Sequence, residues 1–179
     1  MQKRLILNSE LLSITVDRLC QQLIENHNDF SNTVILGLQP RGVHFSDLLV
    51  DHLTKITKKK IDYGYLDTTF YRDDFRRRET PATANATKID FIIEEKQVVL
   101  IDDVLFTGRS VRAALDAMMA YGRPSKVELM VLINRKYTRD LHIAPDYIGL
   151  DVNTIETQKV LVDIGDGKKN KVWLVNEDK

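Results

Sequence analysis

The sequence predicts an α/β fold, a central parallel sheet flanked by helices, and three observations carry that prediction. Short, largely apolar runs at residues 33–38, 98–101 and 127–133 lack the regular polar alternation of a sheet with one wet face, as strands buried on both faces do. Stretches with apolar residues at helical spacing separate these runs, which is the order of a parallel sheet with covered faces. Finally, the run Val98-Val99-Leu100-Ile101 ends in two adjacent carboxylates, Asp102 and Asp103, and Thr107-Gly108-Arg109-Ser110 follows directly before another helical pattern. Burying two ionised carboxylates side by side costs several kcal/mol unless they meet a cation. They are therefore expected after the strand, at its exposed carboxyl end, where open α/β sheets bind ligands.

Taken in order, Ser9 is a plausible helix cap, and Leu12, Val16, Leu19 and Leu23 recur at helical spacing, giving an amphipathic helix from about 9 to about 26. Its polar face carries Asp17, Arg18 and Glu25; a solvated face is the plain reading, and Arg18 at a partner surface the alternative. The strand at 33–38 runs into Gln39-Pro40-Arg41-Gly42 before a second helix through Phe45, Leu48, Leu49 and Leu53. Gly42 permits close backbone approach at a helix start, and Arg41 offers a forked cation to an anion. Residues 61–71 are rich in aromatic and β-branched types and predict a strand.

From about 72 to 87 the chain is charged and then small and polar, including Arg76-Arg77-Arg78. A patternless stretch of that length inside a compact domain is either disordered or a functional lid. Residues 89–93 read as a short antiparallel strand outside the main ladder. The helix after Ser110 ends near Tyr121-Gly122-Arg123-Pro124. A central strand at 127–133, a last parallel strand at 147–152 and a hairpin around Gly165-Asp166-Gly167 complete the pattern.

Two carboxylates and a helix start with small residues and hydroxyls, within nine residues of one another, fit a ligand with phosphate at one end and hydroxyls or a metal at the other. Phosphorylated ribose has that form. Paired Asp residues after an apolar run also occur on the magnesium-binding strand of P-loop NTPases and in receiver domains. The P-loop requires Gly-x-x-x-x-Gly-Lys-Ser/Thr, and here Gly37 to Gly42 is followed by Val43-His44.

The stretch 98–112 resembles the 5-phosphoribosyl-1-pyrophosphate (PRPP) signature of type I phosphoribosyltransferases, and Asp102-Asp103-Val104-Leu105-Phe106-Thr107-Gly108-Arg109-Ser110-Val111-Arg112-Ala113 is most similar to the PyrR family. Gln39-Pro40-Arg41-Gly42-Val43, Leu66-Asp67-Thr68-Thr69-Phe70-Tyr71-Arg72-Asp73-Asp74 and Ala144-Pro145-Asp146-Tyr147-Ile148-Gly149 extend the likeness over nearly the whole chain. The resemblance implies one phosphoribosyltransferase domain over residues 1–179, with a small hood and a flexible lid at about 72–87. It implies the conversion of uracil and PRPP to UMP and pyrophosphate with Mg²⁺. Asp102, Asp103 and Arg72 are then the catalytic set, and the two carboxylates meet Mg²⁺ directly or through a substrate or water. PRPP and UMP fall to Pro40, Arg41, Asp102, Asp103, Val104, Leu105, Phe106, Thr107, Gly108, Arg109 and Ser110, and the base to Arg135 and Val152.

The same likeness leaves two other functions open, an RNA-binding regulator of pyrimidine genes that uses the site as a nucleotide sensor, and a phosphoribosyltransferase for another base. Family members that bind leader mRNA typically carry an Arg-Gly-His-Arg-Glu-Leu-like stretch after the strand at 127–133. Here Arg135-Lys136-Tyr137-Thr138-Arg139-Asp140-Leu141 stands there, and Leu150 replaces a basic residue. Weak or absent RNA binding is expected, unless Arg4, Arg18, Lys136 and Arg139 rebuild a basic face. Lys plus Arg and Asp plus Glu balance at 26 each, so the overall field attracts no polyanion. One cysteine, Cys20, cannot form an internal disulfide and sits in an amphipathic pattern, as a small core or flank residue rather than a nucleophile. With no long apolar run, the expectation is a cytoplasmic protein with no membrane contact, assembled as a homo-oligomer, a dimer or higher.

Overall fold

The computed structural model describes residues 3–73, 85–165 and 170–176. Its main sheet has the order β3-β2-β4-β5-β6 with every pairing parallel, formed by β2 (Thr33–Leu38), β3 (Asp62–Leu66), β4 (Gln97–Leu105), β5 (Lys126–Lys136) and β6 (Tyr147–Asn153). Side chains alternate across it. Ile35, Val99, Ile101, Met130 and Leu132 join the core under α1 (Ser9–His27) and α2 (Gly42–Thr57). Val34, Leu36, Val98, Leu100 and Val131 join the core under α3 (Arg109–Met118). Both faces are thus apolar and both are covered, as the unalternating runs require.

A second sheet, antiparallel in the order β1-β8-β7, forms the hood from β1 (Lys3–Leu7), β7 (Gln158–Asp163) and β8 (Lys171–Asn176). Leu7, Val160, Val172 and Leu174 pack into the α1/α2 core, so hood and main sheet share hydrophobic contacts. The hairpin expected in the tail is β7 with β8; residues 166–169, which include most of its turn, lie outside the described residues. The first strand, β1, has no counterpart among the sequence expectations.

Several expected boundaries move for identifiable reasons. The cap of α1 is Asn8, whose side chain accepts the Leu11 amide at 2.8 Å, while the Ser9 hydroxyl donates instead to the Asn170 carbonyl. The strand expected over 61–71 stops at Leu66, because the Asp67 carboxylate accepts the Thr69 hydroxyl at 2.8 Å and turns the chain into a 3₁₀ turn, Thr69–Tyr71. Residues 89–93 are not a strand. An antiparallel bridge between Tyr65 and Lys88 precedes them, and Ile89, Phe91 and Ile93 pack into the α3-side core as anchors for the chain entering β4. Most of the expected lid, including Arg76 to Arg78, lies outside the described residues.

Candidate active site

Strand order marks the place where sheets of this kind bind ligands. In β3-β2-β4-β5-β6 the chain reverses direction of growth between β2 and β4, and the crevice beyond the carboxyl ends of those strands is the binding position of doubly wound sheets. There β2 stops at Leu38 and the chain turns through the cis Gln39–Pro40 peptide, while β4 continues beyond its last β2 pair, Ile101 with Gly37. The paired carboxylates therefore lie inside β4, not after it: Leu105 is still paired with Asn134 of β5, and Asp103 is buried. This corrects the expected exposed strand end. The opening arises on the β2 side only, where that ladder has run out.

A cavity of about 750 Å³ occupies this crevice, within the usual range for small-molecule sites. Its walls include Pro40, Arg41, Arg72, Asp102, Asp103, Val104, Phe106, Ser110 and Arg135. Of the other expected residues, Leu105 and Val152 are buried in the two cores and line no described part of it. Thr107, Gly108 and Arg109 stand behind Ser110: the Thr107 carbonyl accepts the Asp140 and Leu141 amides, tying the loop to the exit of β5. Arg109 pairs with Asp73 and, at 3.0 Å, with Asp140.

Two helix starts border the cavity, and at neither does the cap residue's own side chain accept a hydrogen bond, although at α3 the Arg109 amide donates to the Thr107 hydroxyl at 3.4 Å. At α2 the cap residue is Arg41, and at α3 it is Gly108 with φ +91°, a left-handed conformation that favours glycine. The start of α1, by contrast, is closed by Asn8. Uncapped ends leave main-chain N–H donors, with the positive end of the helix dipole behind them, for an anionic ligand. Gly42 lets α2 touch β4: a Cβ there would stand 2.8 Å from the Ile101 carbonyl and 2.9 Å from the Asp102 carboxylate.

Between these helix starts lie the carboxylates. The Asp103 amide donates to Asp102 Oδ1 at 2.9 Å. Burial pushes both carboxyls above the usual range, Asp102 well above it, with the neighbouring Asp103 charge adding to the rise. Arg72 opposes the shift at Asp102 and Arg41 opposes it at Asp103. Arg72 Nη1 also donates to the Ser110 hydroxyl at 2.6 Å. Among the described residues no group of three or more His, Cys, Asp or Glu side chains gathers to hold a metal by itself.

Sequence reasoning missed the far wall. Glu156, Gln158, Lys159, Val160 and Leu161, from the hood strand and its approach, line the same cavity as the carboxylates, and so do Gln39, Thr68 and Thr69. The Gln39 side chain donates to the Ala86 carbonyl at 2.8 Å and so joins the β2–α2 loop to the chain returning toward β4.

Comparison with known proteins agrees with this geometry. The family model described as "Phosphoribosyl transferase domain" matches residues 5–166. A protein of Desulfosudis oleivorans named "Bifunctional protein PyrR" is 39% identical over 177 residues, covering 98% of each chain. A protein of the same name from Gloeothece citriformis is 44% identical over 157 residues, 88% of each. Among solved structures, a hypoxanthine-guanine phosphoribosyltransferase of Bacillus anthracis shares the fold at TM-score 0.65 and 16% identity, covering 84% of both chains. The hypoxanthine phosphoribosyltransferase of Trypanosoma cruzi does so at TM-score 0.72 and 12% identity, over 98% of this chain and 97% of that one. Relatives so similar end to end, together with a family model spanning the sheet, both uncapped helix starts and the carboxylate pair, show that the chain belongs to the PyrR family of phosphoribosyltransferases.

Proposed function

We propose that the chain, acting as one domain over residues 1–179, transfers phosphoribose from PRPP to uracil, yielding UMP and pyrophosphate. One observation carries the reading: two uncapped helix starts and a desolvated carboxylate pair converge on a single cavity, an arrangement suited to two phosphate groups joined by a ribose. As the C1–pyrophosphate bond breaks, positive charge grows on the ribose and negative charge on the leaving group, so positioned counter-charges and exclusion of water supply the catalysis. Asp102 and Asp103 hold the ribose hydroxyls and keep negative potential beside the developing oxocarbenium. Main-chain N–H groups and hydroxyls of the loop Thr107, Gly108, Arg109 and Ser110 take the 5′-phosphate. Arg41 and the main chain at Pro40 take the pyrophosphate, and Arg72 releases the Ser110 hydroxyl to join them. The side chains of Leu105 and Val152 pack in the two cores behind the walls.

The donor set fits Mg²⁺. Among the described residues the two carboxylates have no third His, Cys, Asp or Glu side chain beside them, and a buried pair of this kind suits an ion that would take one or two protein oxygens and fill its shell from substrate and water. When bound, such an ion neutralises charge on the pyrophosphate. Self-association as a homo-oligomer and a cytoplasmic setting belong to the same proposal; exposed apolar side chains such as Leu11, Ile14 and Met119 support the first and the lone cysteine the second. Among the described residues, no helix is long and apolar enough to cross a membrane.

Incubating the protein with PRPP, Mg²⁺ and a panel of free bases, with pyrophosphate release as readout, tests the reading. Uracil should be the preferred acceptor. Release with purines or orotate but not uracil would replace the base assignment, and release with none would remove the activity.

A further inference from the structure

Away from the cavity, one carboxylate of α2 holds two tyrosines of β3. Tyr63 and Tyr65 stand two residues apart on the strand and so share a face. Their rings meet edge to face at 5.3 Å, and both hydroxyls donate to the same oxygen, Asp47 Oδ1, at 2.8 and 3.0 Å. A tyrosine hydroxyl has one proton to give, so Tyr63, having donated its own to Asp47, accepts from the Ser46 hydroxyl at 2.6 Å. Gly37 of β2 leaves room for this packing: a Cβ there would stand 2.1 Å from Ser46 Oγ and 3.3 Å from the Tyr63 hydroxyl.

These bonds complete a closed circuit. From Tyr65 the strand runs to Leu66, whose carbonyl accepts the Gln39 amide at 3.0 Å. From Gln39 the chain passes through Pro40 and Arg41 into α2 and reaches Asp47, which is bonded back to Tyr65. Pro40 and Arg41 lie on the circuit and line the cavity, and so do Thr68 and Thr69 just beyond Leu66. We propose that Asp47 is a positioning residue for the anion end of the site: by gathering two tyrosine hydroxyls it locks β3 against α2 and fixes where Pro40 and Arg41 stand relative to Thr68 and Thr69. The inference rests on the reading of Pro40 and Arg41 as pyrophosphate ligands given above.

β3 is an edge strand. Among the described residues it has one ladder partner, β2, and on its outer side a single bridge, Tyr65 with Lys88. The two hydroxyl bonds add an attachment from the face of the sheet, one residue before the exit at Leu66. A carboxylate suits that task, because hydrogen bonds to an ionised acceptor are about twice as strong as neutral ones. Position and charge predict opposite signs here. Removing a negative charge from the second turn of α2 would by its field favour an anion at the helix start, whereas opening the circuit disfavours it.

Kinetics and hydrogen exchange on Asp47→Ala, Asp47→Asn, Tyr63→Phe, Tyr65→Phe and the double tyrosine variant test the proposal, each protein first checked for a cooperative melt. Asp47→Ala should raise KM for PRPP about tenfold, within the cost of misplacing a bound reactant, and leave KM for uracil unchanged. The double tyrosine variant carries the same expectation should Asp47→Ala not melt cooperatively. Each single Phe variant should give part of the rise; in Tyr63→Phe the Ser46 hydroxyl turns to the Val43 carbonyl, 3.0 Å away. Added to the double tyrosine variant, Asp47→Ala should cost nothing further, since no donors remain for it to gather. Asp47→Asn keeps an acceptor oxygen and should stay near wild type. An unchanged KM for PRPP in Asp47→Ala, an equal rise for uracil, or an Asn variant as damaged as the Ala variant would overturn the proposal. Exchange at the Gln39 and Tyr65 amides, which donate to the Leu66 and Lys88 carbonyls, reads the circuit without turnover and should quicken in Asp47→Ala. If wild type neither turns over PRPP nor binds inorganic pyrophosphate with Mg²⁺, the pyrophosphate reading fails, and unchanged exchange at those two amides would separately remove the positioning role.

Discussion

Asp102 and Asp103 illustrate, at the scale of single residues, a site that works against its own fold. Their carboxyls are desolvated and adjacent, so the folded protein holds their protons more tightly than the unfolded chain does. The sign follows for this pair: its contribution to stability is greatest at low pH and declines as pH rises from the unfolded carboxylate range through the raised folded values, because ionisation in the folded state meets burial and, at Asp102, a like charge. Replacing both by Asn preserves shape and the acceptor for the Asp103 amide while removing that cost. The double variant should melt higher than wild type in the absence of ligand; each 1 kcal/mol gained corresponds to roughly 2–4 °C in a chain of this size. Its turnover should fall by about 10²–10³ or more, as expected for lost electrostatic contacts. Thermal melts with pyrophosphate-release kinetics check both, and a lower melting point or near-normal turnover would contradict the account. Cys20 behaves oppositely. Burial and the nearby Asp17 push its thiol up to about 12, consistent with the inert core residue expected from its pattern.

At the scale of elements, the start of α2 depends on one missing methyl group. Alanine at Gly42 would press on the Ile101 carbonyl and the Asp102 carboxylate, forcing α2 off β4 at the point where the Pro40–Arg41 loop and the carboxylate pair meet. Gly42→Ala should remain folded, raise KM for PRPP more than tenfold on the order of the penalties for misplaced binding groups, and also reduce kcat; a change confined to melting temperature would show that the contact serves packing alone. A second cluster lies at the opposite, amino edge of the sheet. There His27, at the end of α1, meets Glu128 at 2.9 Å, the Thr33 hydroxyl at 3.0 Å and the Tyr147 hydroxyl at 3.2 Å, and Lys126 pairs with the other Glu128 oxygen. Burial outweighs the attraction of Glu128 and lowers the His27 pKa. The unfolded chain then takes up a proton that the folded one declines, so this contribution is complete above the unfolded value of 6.5 and is lost as pH falls below it. Denaturant titrations at pH 7.5 and 5.5, values straddling the histidine range, should show the slope, and His27→Gln should flatten it. These elements also mark what was legible. The stretch 98–112 announces itself because buried strands, carboxylates and an uncapped helix start have sharply different residue requirements. The hood wall does not: Glu156, Gln158 and Lys159 form no motif, and β1 is a five-residue strand whose partner β8 lies at the other end of the chain. Residues 89–93 carry a strand's composition, but their apolar side chains serve as anchors and, beyond the bridge at Lys88, no ladder is made.

For the molecule as a whole, the question is where its cations are spent. Formal charge is zero, so affinity for a nucleic acid must come from a local cluster of free Lys and Arg. Arg4, Arg18, Lys136 and Arg139 are the positions from which the sequence offered such a face. Three of them have internal partners. Arg18 donates to the Ile148 and Gly149 carbonyls at 3.1 and 2.6 Å, on β6, the edge strand of the main sheet. Lys136 pairs with Asp151 at 2.9 Å, and Arg139 donates to the Asn134 side chain and the Phe106 carbonyl. Arg4 stands apart, with Lys3, on the hood. Arg18 and Arg139 thus already have main-chain hydrogen-bond partners, on β6 and at Phe106. We therefore predict that catalysis is retained while binding to pyrimidine-gene leader RNA is weak and only shallowly dependent on salt, since each phosphate neutralised adds roughly 0.7–0.9 to the slope of log affinity against log salt. Titrating the protein against leader RNA from its own source at two salt concentrations, with and without UMP, measures this directly. Tight, sequence-specific, UMP-enhanced binding with a steep slope would show that RNA draws these cations away from their internal partners, and Arg18→Ala and Lys136→Ala should then lower that slope by about one each.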